Sequence, residues 1–417
     1  MLSHPASARY GLNGLPLAFA AIPLYVVLPS HYGQTLGVSL GLLGLVFLLT
    51  RLADAFIDPL VGRWVDRLLC EGRRALGWMA LAAVALVLGF VAVFFPPVRG
   101  EAALLWWCAG TIMFTFLAYS LATVMHLAWG TRLGGDQAQR ARLVAWREGF
   151  GLVGVVTANV LATHAGPGWT ALTLALTLVM GWVCLARGPA PAASAAPVST
   201  TTVAASDLRL PWRGAGFRRL MAVFLLNGIA SAIPATLVLF FIQDRLQAMA
   251  YAPAFLGGYF LVGALSVPWW VRCIARIGPM RAWALGMLMS VAAFVGVLSL
   301  GAGDVAAFGV VCLLTGWALG ADLTAPGTLL TGVVQRAGHL GQSEGAYAGW
   351  WHWATKLNLA LAAGVALPAL QWMGYSPGAQ SPEALWALTL AYGALPCLFK
   401  LVALAACWRW RHHQALA

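Results

Sequence analysis

Apolar runs recur from one end of this 417-residue chain to the other. Each is about 20 residues long, enough for a helix to cross the hydrocarbon core of a bilayer. Only helices and closed barrels can do so, because no water is present there to satisfy backbone polar groups. Barrel strands alternate apolar and polar residues over short stretches, and these runs do not. The expected fold class is therefore an all-α polytopic membrane protein. Composition agrees, with 61% hydrophobic and 9% charged residues, where soluble domains carry about 25% charged residues. That balance excludes an ordinary soluble enzyme, a disordered chain and a nucleic-acid module.

Twelve spans are expected, at 12–32, 36–61, 75–97, 103–130, 143–165, 168–187, 217–243, 253–274, 280–301, 305–334, 346–372 and 384–408. The formal charge is +12, and its distribution is more informative than its sum. Twenty of the 25 basic residues fall at the two ends and in or at the edges of alternate connections; only Arg99 and Arg245 lie in the others, and Arg51, Lys356 and Lys400 lie deeper within spans. Basic loops stay on the cytoplasmic side, which places both termini there, in the cell (inner or plasma) membrane. The first span lacks a small-residue cleavage site and is expected to be retained. The seven cysteines show no paired spacing and are expected to be buried thiols.

Residues 188–215, rich in Pro, Ala, Ser and Thr, read as a flexible cytoplasmic linker between six-helix bundles 1–187 and 216–417. The halves echo each other. Pro59 is followed by Arg63 and Arg67, and Pro268 by Arg272 and Arg276 at the same offsets. Leu12-Asn13-Gly14 in the first span returns as Leu226-Asn227-Gly228 in the seventh. A duplicated bundle with a central linker is the architecture of major facilitator transporters.

Ionisable residues inside spans are costly and point to function. The second span holds Arg51, Asp54 and Asp58 at i, i+3 and i+7, on one helical face. Two acids so close either converge on a small cation or share a proton, because like charges raise a carboxyl pKa. Either gives a coupling-ion site, for Na⁺ through Asp54 and Asp58 as metal ligands or for H⁺; the plainer reading is an Arg51–Asp54 ion pair. Asp66 and Arg67, just downstream, read either as a topogenic loop or as a gate that pairs in one conformation. Lys356 is deep in the eleventh span and needs a carboxylate or a hydrated cavity; Asp54 or Asp58 is the expected partner. His352 lies one turn before it, and Trp353 near mid-helix is a candidate cavity wall. Glu148 is expected to pair with Arg142 or Arg147 near the gate. Asp322, ahead of Pro326 and Gly327, either caps a helix break or faces the cavity. Thr123 and His126 are polar positions that face the cavity or are satisfied by backbone. Asn13 and Asn227 complete the cavity candidates. No HExxH, GxSxG or His/Cys cluster points to an enzyme or a cofactor.

The stretch GVSLGLLGLVFLLTRLADAFIDPLVGRWVDR resembles the second helix and following loop of the glycoside–pentoside–hexuronide:cation symporters, the melibiose permease-like family of the major facilitator superfamily. RARLVAWREGFGLVG and SEGAYAGWWHWATKLNLALAAG continue the resemblance. It implies that Asp54 and Asp58 bind the coupling cation and that Lys356 couples to it. Ser120 stands where the family's cation site has a threonine. The chain departs from the family at Ile57, where an asparagine is usual, in having no first-helix acid, and at Thr123, where the fourth-helix acid is missing. The implied function is cation-coupled symport of a small organic solute, such as a sugar or glycoside, by alternating access. The missing acids raise the alternative of a lysolipid or amphiphile. The expected partners are that solute or lipid and the bilayer, for a monomer without nucleic acid.

Overall fold

The computed structural model describes residues 2–28, 31–70, 74–190, 208–375, 378 and 380–410. Arg73, Arg411 and most of the expected linker (191–207) lie outside the described residues. Every described element is helical. In order they are α1 (His4–Gly11), α2 (Gly14–Ile22), α3 (Leu40–Cys70), α4 (Ala75–Phe94), α5 (Glu101–Arg132), α6 (Gln137–His164), α7 (Gly166–Ala186), α8 (Ala215–Phe240), α9 (Ala252–Ile277), α10 (Pro279–Phe294), α11 (Val305–Arg336), α12 (Glu344–Trp372), α13 (Pro382–Thr389) and α14 (Leu395–Trp410). A helical run coincides with each of the twelve expected spans. Among the described residues, eight helices are long and apolar enough to cross a membrane. Leu81, Leu88, Val156, Leu176, Leu261 and Leu313 are exposed on helix exteriors, as residues meant for lipid must be.

Local chemistry sets the ends. Asp136 caps α6 by accepting from the Gln139 amide, and Ser381 does the same for α13 with Ala384. Gly278, at φ 85°, turns α9 directly into α10, whose first residue is Pro279. Prolines 59, 234, 268 and 326 lie inside helices that continue past them. Of the two readings of Asp322, the helix break at Pro326 does not occur, and α11 runs through from Val305 to Arg336.

Contacts divide the chain into two compact units. The first is Met1–Pro211 with Val334–Trp353; the second is Trp212–Val333 with Ala354–Ala417. In the first, α2 packs on α6, α3 on α5, and α4 on α5 and α7. Its core includes Phe19, Tyr32, Phe90, Phe94 and Phe116. In the second, α8 and α10 pack on α14 and α9 on α10. Phe241 stacks on Tyr392 at 4.4 Å in a core shared with Phe255 and Phe308.

The repeat is visible in the backbone. In the first unit Leu36 and Val38 donate to the carbonyls of His31 and Tyr32; in the second Leu246 and Ala248 donate to those of Phe241 and Ile242. Each wide turn closes through a left-handed residue, Gly37 (φ 71°) or Gln247 (φ 52°). The two Asn-Gly pairs act alike. Gly14 lets α2 meet the α6 backbone at Arg147, where a Cβ would lie 2.5 Å from the carbonyl oxygen. Gly228 admits the Asn358 side chain of α12 against α8 in the same way.

Candidate cation and solute site

The acid-bearing face of α3 turns inward where the helix packs on α5. Asp54 is 2% exposed and Asp58 fully buried, while Arg51 on the preceding turn is exposed. Ser120 on α5, also fully buried, donates its hydroxyl to Asp54 Oδ1 at 3.1 Å. The three expected cation ligands of the first unit are thus neighbours in one seam. One turn along α5, the Thr123 hydroxyl is buried without a hydrogen-bond partner among the described residues. His126, 1% exposed, follows on the same face. Backbone does not satisfy its ring: neither nitrogen has a hydrogen-bond partner among the described residues, and the ring stacks on Tyr10 at 4.4 Å. The Tyr10 hydroxyl donates to the His126 carbonyl.

The first turns of α12 pack into this unit. Tyr119 of α5 lies 6.0 Å, centre to centre, from the His352 ring. Trp353 stacks edge-on with Trp350 at 5.3 Å. Lys356, partly exposed, is one turn beyond His352, past the point where α12 passes into the second unit at Ala354. Gly62, Gly345 and Gly349 let α3 and α12 touch backbone to backbone; a Cβ on Gly349 would lie 2.6 Å from the Asp58 carbonyl oxygen.

Asp66 caps α12. Its Oδ1 accepts from the Gly345 amide at 2.5 Å and its Oδ2 from Ala346 at 3.0 Å, so a carboxylate meets the positive end of a helix dipole. Arg67 is exposed. Beside this cap Arg132 pairs with Glu344 at 3.1 Å, the side chains being 4% and 0% exposed. Arg132 also donates to the Leu69 carbonyl at 2.7 Å. Sequence reasoning missed this pair, although each partner is a lone charge at the end of a long apolar helix. Glu148 takes Arg147 as partner at 2.5 Å, while Arg142 reaches the Leu2 carbonyl. Asn13 stands apart from the acid seam, against Gly181 and the Leu17–Met79–Trp182 cleft.

In the second unit Asn227 donates to Asp322 Oδ1 at 3.0 Å, Trp283 donates to the same oxygen at 2.8 Å, and Lys400 reaches both residues. Asp322 therefore serves no helix break. The cysteines are less uniformly buried than expected: Cys108, Cys397 and Cys407 are buried, Cys70 is exposed and the other three are intermediate.

A family model described as MFS/sugar transport protein matches residues 9–412. The chain belongs to that family. It is a multi-pass cell-membrane transporter protein of the major facilitator type. Similar proteins of this sugar-transport family in Escherichia coli (strain K12) include a glucuronide carrier protein homolog, 24% identical over 98% of this chain and 92% of the relative. The inner membrane symporter YicJ is 23% identical over 72% and 71%. The putative glycoside/cation symporter YagG is 27% identical over a shorter match, 33% of this chain and 30% of the relative. Among solved structures, a bacterial homologue of the iron transporter ferroportin, outward-facing, superimposes with a TM-score of 0.66 at 14% identity, covering 98% of both chains. The E. coli fucose:proton symporter superimposes at 0.63 and 13%, covering 96% of this chain and 97% of that one. These likenesses show the fold, that of the major facilitator transporters.

Proposed function

We propose that this protein is a symporter that couples the entry of a cation to that of a sugar or glycoside by alternating access. The observation that carries the reading is the seam of Asp54, Asp58 and Ser120. Two acids buried at membrane depth on one helix face, with a serine hydroxyl on Asp54, supply the negative charge and oxygen donors that a small cation binds and leaves. The similarity to a glycoside/cation symporter, a glucuronide carrier homolog and an inner membrane symporter supports the same reading. The cation is Na⁺ where Asp54, Asp58 and Ser120 supply oxygen ligands, or H⁺ where one acid holds a proton. Lys356 couples occupancy of that site to the solute. Thr123, His126, His352 and Trp353 offer the solute hydroxyl partners and an aromatic wall. Asn13, Asn227 and Asp322 remain cavity candidates with more local partners. The proposed gate is the cap of Asp66 on α12 with Arg67 beside it in sequence, together with Arg51 and the Arg147–Glu148 pair. The termini face the cytoplasm, bundles 1–187 and 216–417 are joined by 188–215, and the protein works as a monomer. The lysolipid alternative has no observation in its favour beyond the missing acids.

The test is a titration of purified protein with Na⁺ at fixed pH, then with H⁺ at fixed Na⁺, followed by the fluorescence of its 20 tryptophans. A saturable response absent in Asp54→Asn/Asp58→Asn, with gradient-driven sugar uptake lost in the same variant, is expected. Uptake unchanged in that variant overturns the assignment.

A further inference from the structure

The second unit buries an ion pair of its own. Lys400 Nζ lies 2.9 Å from Asp322 Oδ2 and 2.8 Å from Asn227 Oδ1. The other carboxylate oxygen accepts from Trp283 Nε1 and Asn227 Nδ2. The four residues come from α8, α10, α11 and α14, so the cluster ties together four helices. Trp283 is fully buried, and the Lys400 and Asp322 side chains are 8% and 17% exposed.

The ammonium is held by one carboxylate oxygen and one amide oxygen. Hard oxygen donors of this kind also hold dissolved cations. In the first unit Asp54 accepts a hydrogen bond from Ser120. In the second, the buried acid has a cation attached to the chain. We propose that the Lys400 ammonium is a tethered counter-cation: it fills the position between Asp322 and Asn227 that a dissolved cation would otherwise take, and so keeps the second unit from binding an ion of its own. Lys400 is then a block on a latent monovalent-cation site, and ion coupling is confined to the first unit. Helix-bridging glue alone makes a different prediction, since removing it leaves nothing for an ion to replace.

The experiment uses the full chain in the Asp54→Asn/Asp58→Asn background, where the proposed native ion site is gone. Thermal melting and ²²Na⁺ binding are compared in NaCl and N-methylglucamine chloride at equal ionic strength. Lys400→Ser is expected to create saturable Na⁺ binding and Na⁺-dependent melting, both lost when Asp322→Asn is added. A site with a Kd of about 10 mM multiplies the folded-to-unfolded ratio about elevenfold at about 100 mM Na⁺. Folded Lys400→Ser without Na⁺ binding overturns the proposal, as does Asp322-dependent Na⁺ binding while Lys400 is intact. If Lys400→Ser does not accumulate, Lys400→Ser/Asp322→Asn decides. Its recovery shows the ammonium to be the counter-charge of that carboxylate, and its failure overturns the proposal. A wild-type protein indifferent to Na⁺ and H⁺ sinks the proposed symport but leaves this test standing, because the test is run without Asp54 and Asp58.

Discussion

The α3–α5 seam of the first unit and the α9–α11 seam of the second descend from one pattern and hold opposite contents. Pro59 and Pro268 set the register. At the positions of Asp54 and Asp58, the second unit has Gly263 and Val267. Its seam is closed by small residues and tryptophan. A Cβ on Gly263 would lie 2.8 Å from the Leu319 side chain, and one on Gly316 would lie 2.5 Å from the Tyr259 carbonyl oxygen. Gly320 is pressed against Ser266 and Trp270, and the Trp270 indole donates to the Trp317 carbonyl at 2.7 Å. The first seam spends its interior on carboxylates, the second on close packing. Duplication conserved the helix geometry and left the charge free to diverge. Backbone packing depends on helix spacing, whereas an intramembrane charge persists only where something neutralises it.

The comparison breaks most sharply if acid is moved into the packed seam. Gly263→Asp overfills the contact with Leu319 and buries a carboxylate without a partner, at a cost of roughly 3–5 kcal/mol. Little folded protein should survive detergent extraction, measured by size-exclusion yield; normal yield would show that the second seam tolerates charge as the first does. Next comes Asp54→Asn, expected to remove roughly 2–4 kcal/mol of ion binding, a loss of roughly 30- to 1,000-fold. Ion titration by tryptophan fluorescence checks it, with the melting temperature in the absence of the ion near wild type. Gly320→Ala tests the packing itself, with overpacking expected to cost roughly 1–3 kcal/mol in thermal unfolding. Gly149→Ala is its control, since a Cβ there meets nothing within 4 Å. The smallest effect is expected at Asp66→Asn. The remaining carbonyl oxygen still accepts from one α12 amide, but the NH2 cannot accept from the other and the charge on the dipole is lost, roughly 1 kcal/mol. A shift toward faster cysteine labelling near Gly345 would report a looser cap, and unchanged labelling would remove Asp66 from the gate.

Much of this was readable in residue order. Apolar runs placed the helices, because hydrocarbon thickness sets their length. The offsets of Pro59 and Pro268 and the two Asn-Gly pairs disclosed the duplication, because each marks a place where helices must bend or touch. Asp54 and Asp58 stood out, because charge in an apolar run has few benign explanations. Other features carried no local mark. Lys400 was a lone charge in the last span, and only packing set it beside Asn227 and Asp322, 173 and 78 positions away. Asp322 was as well suited to capping a break at Pro326 as to facing the cavity, yet α11 continues past the proline and packing places its carboxylate against Lys400, Asn227 and Trp283. Arg132 and Glu344 were separate helix-end charges until the turns brought them within 3.1 Å.

By itself, then, the sequence determined the class and the family's fold, and it pointed to the spans, the internal repeat and the acids of the second span. These follow from local rules: hydropathy, helical period and the cost of charge in lipid. Tertiary structure alone decided what surrounds each buried acid: a serine hydroxyl at Asp54, a helix end at Asp66, a lysine at Asp322. The reason is physical. The environment of a buried charge is set by atoms within a few ångströms, and in a helical bundle most of those belong to other helices, far away along the chain.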